Sequence, residues 1–218
     1  MNENFDSIIF DMDGTLWDAV NTYAKSWNIY FYKNGINRKI TKKVLDNLMG
    51  LEESLYLEQV IPEFPSGKRK EIYRDVINLQ YGLIEKEGGH LYDGVFDGIK
   101  KLSEYYQLFI VSNCPEYTIR CFIKWSKLEN YFKDSISHGE NLKPKFENIE
   151  LLKKKHKLSL PIYIGDTDSD RIQSEKANIP FVFMDYGFGK SDNYFLKFSS
   201  FTNFTNHMLQ YNASKISL

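Results

Sequence analysis

Ser7-Ile8-Ile9-Phe10-Asp11-Met12-Asp13-Gly14-Thr15 is the stretch whose reading decides the fold. Its apolar start, Ser7 to Phe10, has the length and character of a strand. It stops at two aspartates separated by one residue and followed by Gly-Thr, a composition suited to a turn. The carboxylates therefore stand at the carboxyl end of the first strand.

Working outward, Leu108 to Val111, Ser135 to Ser137, Ile162 to Ile164 and Pro180 to Met184 have strand character, the second of them weakly. Helical patterns over Tyr117 to Trp125, Phe146 to Lys155 and Asp170 to Ala177 separate most of these runs. Alternation of strand and helix predicts an α/β fold with a parallel sheet and right-handed crossovers. In such a sheet the loops at the carboxyl ends of the strands form the ligand site. The polar segments after Phe10, Val111 and Ile164 are thus expected to meet.

Residues 18–89 read differently. Val20, Tyr23, Ala24, Trp27 and Phe31 recur at helical spacing, as do Ile40, Val44, Leu45 and Leu48, and then Ile72, Val76, Leu79 and Leu83. No alternating strand pattern interrupts them, so an all-helical insertion after the first strand is expected, seated over the site as a lid. The division is then residues 1–17 and 90–218 for the core and 18–89 for the insertion. The tail from Phe198, with Phe201, Phe204 and Met208, reads as a last packing helix.

Composition sets limits on function. With 218 residues, 42% hydrophobic and 26% charged, the chain is expected to be globular and large enough for one core domain carrying a smaller one. Its net charge of −1 offers no field for nucleic acid or an anionic membrane, so no nucleic-acid or membrane partner is expected. The basic run Lys153 to Lys157 closes a helical pattern, where cations complement the helix dipole. The opening segment has no basic region followed by an apolar stretch, and a cytoplasmic location is expected. Cys114 and Cys121 are too few for a disulfide scaffold and read as reduced, partly buried thiols.

The chemistry lies in the carboxylates. Asp11 and Asp13 follow one strand, and Asp166 and Asp170 follow another in Gly165-Asp166-Thr167-Asp168-Ser169-Asp170. Gathered at one sheet edge they would repel and raise each other's pKa values unless a cation intervened. An all-oxygen set with no histidine or cysteine favours Mg²⁺, which pairs carboxylates with substrate phosphate and water. Ser112-Asn113 and Gly14-Thr15 offer hydroxyl, amide and backbone N–H donors for phosphate oxygens. Lys143 or Lys145 would complete the charge balance. Asp168 reads as a helix N-cap or a solvated side chain, and Tyr186-Gly187-Phe188-Gly189 as a turn.

Taken in order, DMDGT at 11–15, Ser112, the lysine at 143 or 145 and GDTDSD at 165–170 resemble the four motifs of the haloacid dehalogenase superfamily. Leu16-Trp17-Asp18 is similar to an extension found in its phosphoglycolate phosphatase-like branch. The resemblance implies a Rossmann-like core with a helical C1 cap. It further implies a Mg²⁺-dependent phosphatase for a small phosphate monoester, working through an aspartyl-phosphate, as a monomer or homodimer. Under it Asp11 is the nucleophile, and Asp13 is the acid and base that also binds Mg²⁺ through its backbone carbonyl. Asp166 is the main acidic ligand, Asp170 orders the site or a metal-bound water, and Ser112, Asn113, Thr15 and the lysine hold the phosphoryl group. Lys143-Pro144 matches one form of the lysine motif and Lys145-Phe146-Glu147-Asn148-Ile149 another, the latter favoured. A sugar-phosphate phosphomutase and a non-catalytic phospho-ligand-binding module remain as alternatives.

Overall fold

The computed structural model describes residues 5–216. Six parallel strands form the main sheet in the order β5-β4-β1-β6-β7-β8. They are β1 (Ser7–Phe10), β4 (Gln107–Ser112), β5 (Phe132–Ser137), β6 (Pro161–Gly165), β7 (Phe181–Met184) and β8 (Leu196–Phe198). The first strand is central, with Phe10 opposite Ile110 on one side and Ile164 on the other. Chain order reverses direction across β1, so the loops after β1, β4 and β6 open into one crevice.

Strand side chains alternate between faces, and that period sorts the core into two layers. Ile8, Phe10, Ile110, Ile164 and Met184 point to the face covered by α5 (Val95–Ser103), α6 (Thr118–Ser126) and α10 (Phe201–Ile216). Ile9, Phe109, Val111, Tyr163 and Phe183 point to the other, covered by α8 (Lys145–His156) and α9 (Asp168–Lys176). Burial on both faces explains why these strands read as continuous apolar runs.

The segment between β1 and α5 is helical, with α1 (Val20–Lys33), α2 (Lys42–Asp46), α3 (Glu53–Val60) and α4 (Ser66–Glu87). It is framed by two short strands absent from the sequence reading. These are β2 (Trp17–Asp18) and β3 (His90–Leu91), which pair antiparallel with Trp17 opposite Leu91 and Asp18 opposite His90. Two residues cannot display an alternating pattern, so periodicity passes over them. They bring the outgoing and returning chains together beside the first motif.

Two smaller differences also have local causes. Strand β8 is only three residues long, a short edge addition beside β7. A single helical turn, α7 (His138–Asn141), precedes α8. Of the two readings of Asp168 the solvated one holds: Thr167 caps α9, accepting from the Asp170 N–H at 3.1 Å, while Asp168 is exposed and paired with Arg171 at 2.6 Å. In the basic run, Lys153 donates to the Ala177 carbonyl, and Lys155 and His156 pair with Asp134. Cys114 and Cys121 are free and buried. Among the described residues no helix is long and apolar enough to cross a membrane.

Candidate active site

The carboxyl ends of β1 and β6 lie side by side, so their loops bring Asp11 and Asp166 together, and the first turn of α9 adds Asp170. Oxygens of these three buried carboxylates all lie within 4.8 Å of one another. Gly14 makes the close approach possible. Its φ of +84° belongs to the left-handed region that glycine tolerates, and a Cβ there would overlap the Asp166 carboxylate.

Each carboxylate has a distinct set of partners. Asp170 accepts from Lys145 Nζ at 2.6 Å through one oxygen, and through the other from Thr167 Oγ1 at 2.7 Å and the backbone N–H groups of Thr167 and Asp166. That saturated hydrogen bonding suits it to hold the loop. Asp166 accepts from the Phe188 N–H at 2.7 Å and from the Thr15 hydroxyl at 3.2 Å. Asp11 accepts from Lys145 at 3.0 Å, its side-chain donor among the described residues.

Lys145 is therefore the cation of the cluster, only 3% exposed and held at the start of α8 by the extended Pro144 before it. Its Nζ also lies 5.6 Å from the centroid of the Tyr163 ring, whose hydroxyl donates to the Val111 carbonyl. Lys143 points elsewhere, is paired with Glu147 in solvent at 3.5 Å, and does not line the cavity. Geometry thus distinguishes two lysines that the motif alone leaves open.

Electrostatics describe an under-compensated site. Burial raises Asp11 to about 6 against the opposing pull of Lys145. Asp166 is pushed well above the usual carboxylate range by burial, then by Asp170 and Asp11. Burial works to lower Lys145, but the Asp11 and Asp170 charges prevail and keep it firmly protonated. One lysine against three carboxylates leaves two negative charges in an oxygen-only setting, which fits a hard divalent ion.

Asp13 departs from the expected grouping. Its carboxylate lies outside the three-acid cluster and accepts from the Tyr23 hydroxyl at 2.8 Å, a bond that reaches from the core to α1. Burial raises it to about 7, with the Tyr23 hydrogen bond opposing. A carboxyl with that pKa can hold or release a proton near neutral pH.

A small cavity of about 70 Å³, partly open to solvent, lies above Asp11 and Asp13. Ser112 and Asn113 line it as expected, and the Asn113 amide donates to the Gly50 carbonyl of the helical segment at 3.2 Å. Thr15 does not. It is fully buried, and its hydroxyl is spent on Asp166, so it positions a carboxylate instead of facing a ligand. Cys114 lines the cavity, yet burial holds its thiol well above its usual range and hence neutral.

Beyond the motif residues, other groups shape the site. The Phe188 N–H and Gly187, whose Cβ would collide with Asp166, make the loop after β7 a wall of the acidic cluster, tied down by the Tyr186 hydroxyl on the Thr15 carbonyl at 2.7 Å. Its two glycines were the available signal. Glu53, Tyr56, Tyr73 and Gln80 line the cavity from α3 and α4, with no local signal beyond helical spacing.

An open parallel sheet with buried acids at its switch point and a helical segment above them is an enzyme architecture for phosphate chemistry. The profile of the haloacid dehalogenase-like hydrolases matches residues 8–184, and the chain belongs to that family. It is 27% identical over 205 residues to a phosphoglycolate phosphatase of Photobacterium profundum, covering 85% of this chain and 86% of that one. A phosphoglycolate phosphatase of Rhodobacter capsulatus is 27% identical over 193 residues, with the same coverage. Among solved structures, a haloacid dehalogenase-like hydrolase of Streptococcus pneumoniae superposes with a TM-score of 0.81 at 18% identity, covering 94% of this chain and 98% of that one. A predicted phosphoglycolate phosphatase of Haemophilus somnus gives 0.81 at 19% identity with the same coverage.

Proposed function

We propose that the protein is a Mg²⁺-dependent phosphatase that hydrolyses a small phosphate monoester through an aspartyl-phosphate on Asp11. The observation that carries this reading is the joint placement of two unlike aspartates. Asp11 lies in the acidic cluster beside Lys145, whereas Asp13, two residues on, is turned to Tyr23 with a pKa near 7. One suits a nucleophile and the other a proton carrier.

In this mechanism an Asp11 oxygen attacks phosphorus while Asp13 donates its proton to the departing ester oxygen. Asp13, now ionised, takes a proton from the water that attacks the phosphoryl-aspartate, and Asp11 is restored. Lys145 and the Ser112–Asn113 segment hold the phosphoryl oxygens and balance their charge. Asp11, Asp166 and the Asp13 backbone carbonyl would hold Mg²⁺, with Asp170 fixing Lys145 and the Asp166 loop. Bound there, the ion would offset the acidic cluster and let the nucleophile approach an anionic ester.

Residues 18–89 act as the cap, framed by the β2–β3 pair and joined to the core through Tyr23 on Asp13 and Asn113 on Gly50. Closure would exclude bulk water and select the alcohol. Phosphate release from a panel of monoesters, measured with Mg²⁺, with EDTA and with Asp11→Asn, tests the reading. Metal-dependent release abolished by the substitution supports it; isomer conversion without free phosphate would point to a mutase, and binding without turnover to a phospho-ligand module.

A further inference from the structure

The cap wall of the cavity differs chemically from its floor. Glu53, in the first turn of α3, lines the cavity half-buried and has no ion pair or hydrogen bond among the described residues. Beside it stand Tyr56 and Tyr73, with ring centroids 5.8 Å apart at 50°. Trp27 braces both, stacked on Tyr73 at 6.0 Å and donating from Nε1 to the Tyr56 hydroxyl at 2.9 Å. Two fixed π-faces beside a free carboxylate form a surface for a cation.

Among the described residues the cavity wall has no uncommitted cation for an anionic leaving group: Lys145 is the one lysine lining it and is committed to Asp11 and Asp170, and no arginine lines it. His138 offers no donor in its neutral form, because its Nδ1 lies 2.9 Å from the Lys143 carbonyl and must donate there, leaving Nε2 as an acceptor. Two further polar groups line the cavity and can turn an oxygen towards a ligand: the Thr118 hydroxyl, buried without a partner among the described residues, and Gln80, buried on α4.

We propose that the leaving group carries an ammonium, so that the substrate is the phosphate monoester of a small amino alcohol; this rests on the phosphatase reading of the same site. Glu53 supplies the counter-charge, Tyr56 and Tyr73 the π-faces, and the oxygens of Thr118 and Gln80 accept the remaining N–H groups. The specificity differs from that named for the phosphoglycolate phosphatases, whose leaving group carries a carboxylate that Glu53 would repel.

Phosphate release is measured with Mg²⁺ for three esters of similar size, O-phosphoethanolamine, propyl phosphate and 2-phosphoglycolate, with p-nitrophenyl phosphate as an activated ester. The expected kcat/KM for the amino ester exceeds that of the neutral one by about tenfold. It exceeds that of the acid by about a hundredfold. Glu53→Gln should reduce the amino-over-neutral ratio to about twofold, and Glu53→Lys should place 2-phosphoglycolate first. Equal rates for the three esters, or 2-phosphoglycolate preferred by the unaltered protein, would overturn the assignment while p-nitrophenyl phosphate hydrolysis leaves the phosphatase reading standing. Should no ester be hydrolysed, that reading fails, and calorimetric binding of the same three esters decides the cap chemistry: tightest binding of O-phosphoethanolamine supports it, and any other order refutes it.

Discussion

Replacing Lys145 by methionine removes the one cation facing Asp11 and Asp170 while keeping most of the side-chain volume. The pair distances are 3.0 and 2.6 Å, and all three side chains are nearly inaccessible. Removing one partner of a buried ion pair costs about 3–5 kcal/mol, because the other charge stays behind unpaired. In a chain of this size that corresponds to a fall in Tm of roughly 10 °C. The deficit should depend on pH. Asp11 is raised from 3.8 to about 6 even with Lys145 present, so the folded state binds protons that the unfolded state has released. Stability of the metal-free protein therefore falls as pH rises through that window, and loss of Lys145 extends the fall to higher pH. Urea unfolding of Lys145→Met and the unaltered protein in EDTA at pH 8 and pH 5 measures both effects. The expected gap is several kcal/mol at pH 8 and narrower at pH 5. A gap below about 1 kcal/mol at pH 8, or one equal at both pH values, would refute the claim that Lys145 offsets buried charge.

Other consequences are equally direct. Tyr23→Phe removes the hydroxyl on Asp13, a bond to an ionisable partner worth about 1.5–3 kcal/mol, and should lower kcat at least tenfold with KM little changed in steady-state assays. Gly14→Ala places a Cβ on the Asp166 carboxylate at a backbone φ of +84°, and calorimetric titration should show weakened Mg²⁺ affinity by tenfold or more, about 1.4 kcal/mol. Lys143→Ala breaks only a solvent-exposed pair with Glu147 and should change kcat/KM by less than about twofold, in contrast to any substitution of Lys145.

The grouping of the acids was legible in the sequence wherever a motif coincided with a strand end. DMDGT follows a four-residue apolar strand and GDTDSD follows another, and parallel pairing of β1 with β6 leaves their acids adjacent. Ser112 was legible for the same reason, as the last residue of β4. Between the two lysines, the motif form and the helix entry at Pro144 favoured Lys145 without deciding it, and burial separates them in the structure, with Lys145 inside and Lys143 in solvent. Thr15 looked like a ligand contact because hydroxyls near turns often are, but the left-handed turn at Gly14 directs it to Asp166. Tyr23, Glu53 and Tyr73 were hidden more deeply. Helical spacing marks Tyr23 alone of the three, and they lie on α1, α3 and α4, so the cavity they share arises only where helices distant in sequence pack together. The β2–β3 pair was beyond reach for another reason, being too short to carry any period.

The central claim is that a phosphoryl group passes through the side chain of Asp11. Rapid mixing of enzyme with an isotopically labelled phosphate monoester and Mg²⁺, acid quench, borohydride reduction of the acyl phosphate and peptide mass spectrometry test it at the residue concerned. The account predicts conversion of position 11, and no other, to homoserine, with a larger trapped fraction in Asp13→Ala when the ester is p-nitrophenyl phosphate, whose leaving group departs without a proton while hydrolysis still lacks its base. Steady phosphate release with position 11 unmodified at every quench time, or modification at a different residue, would contradict it.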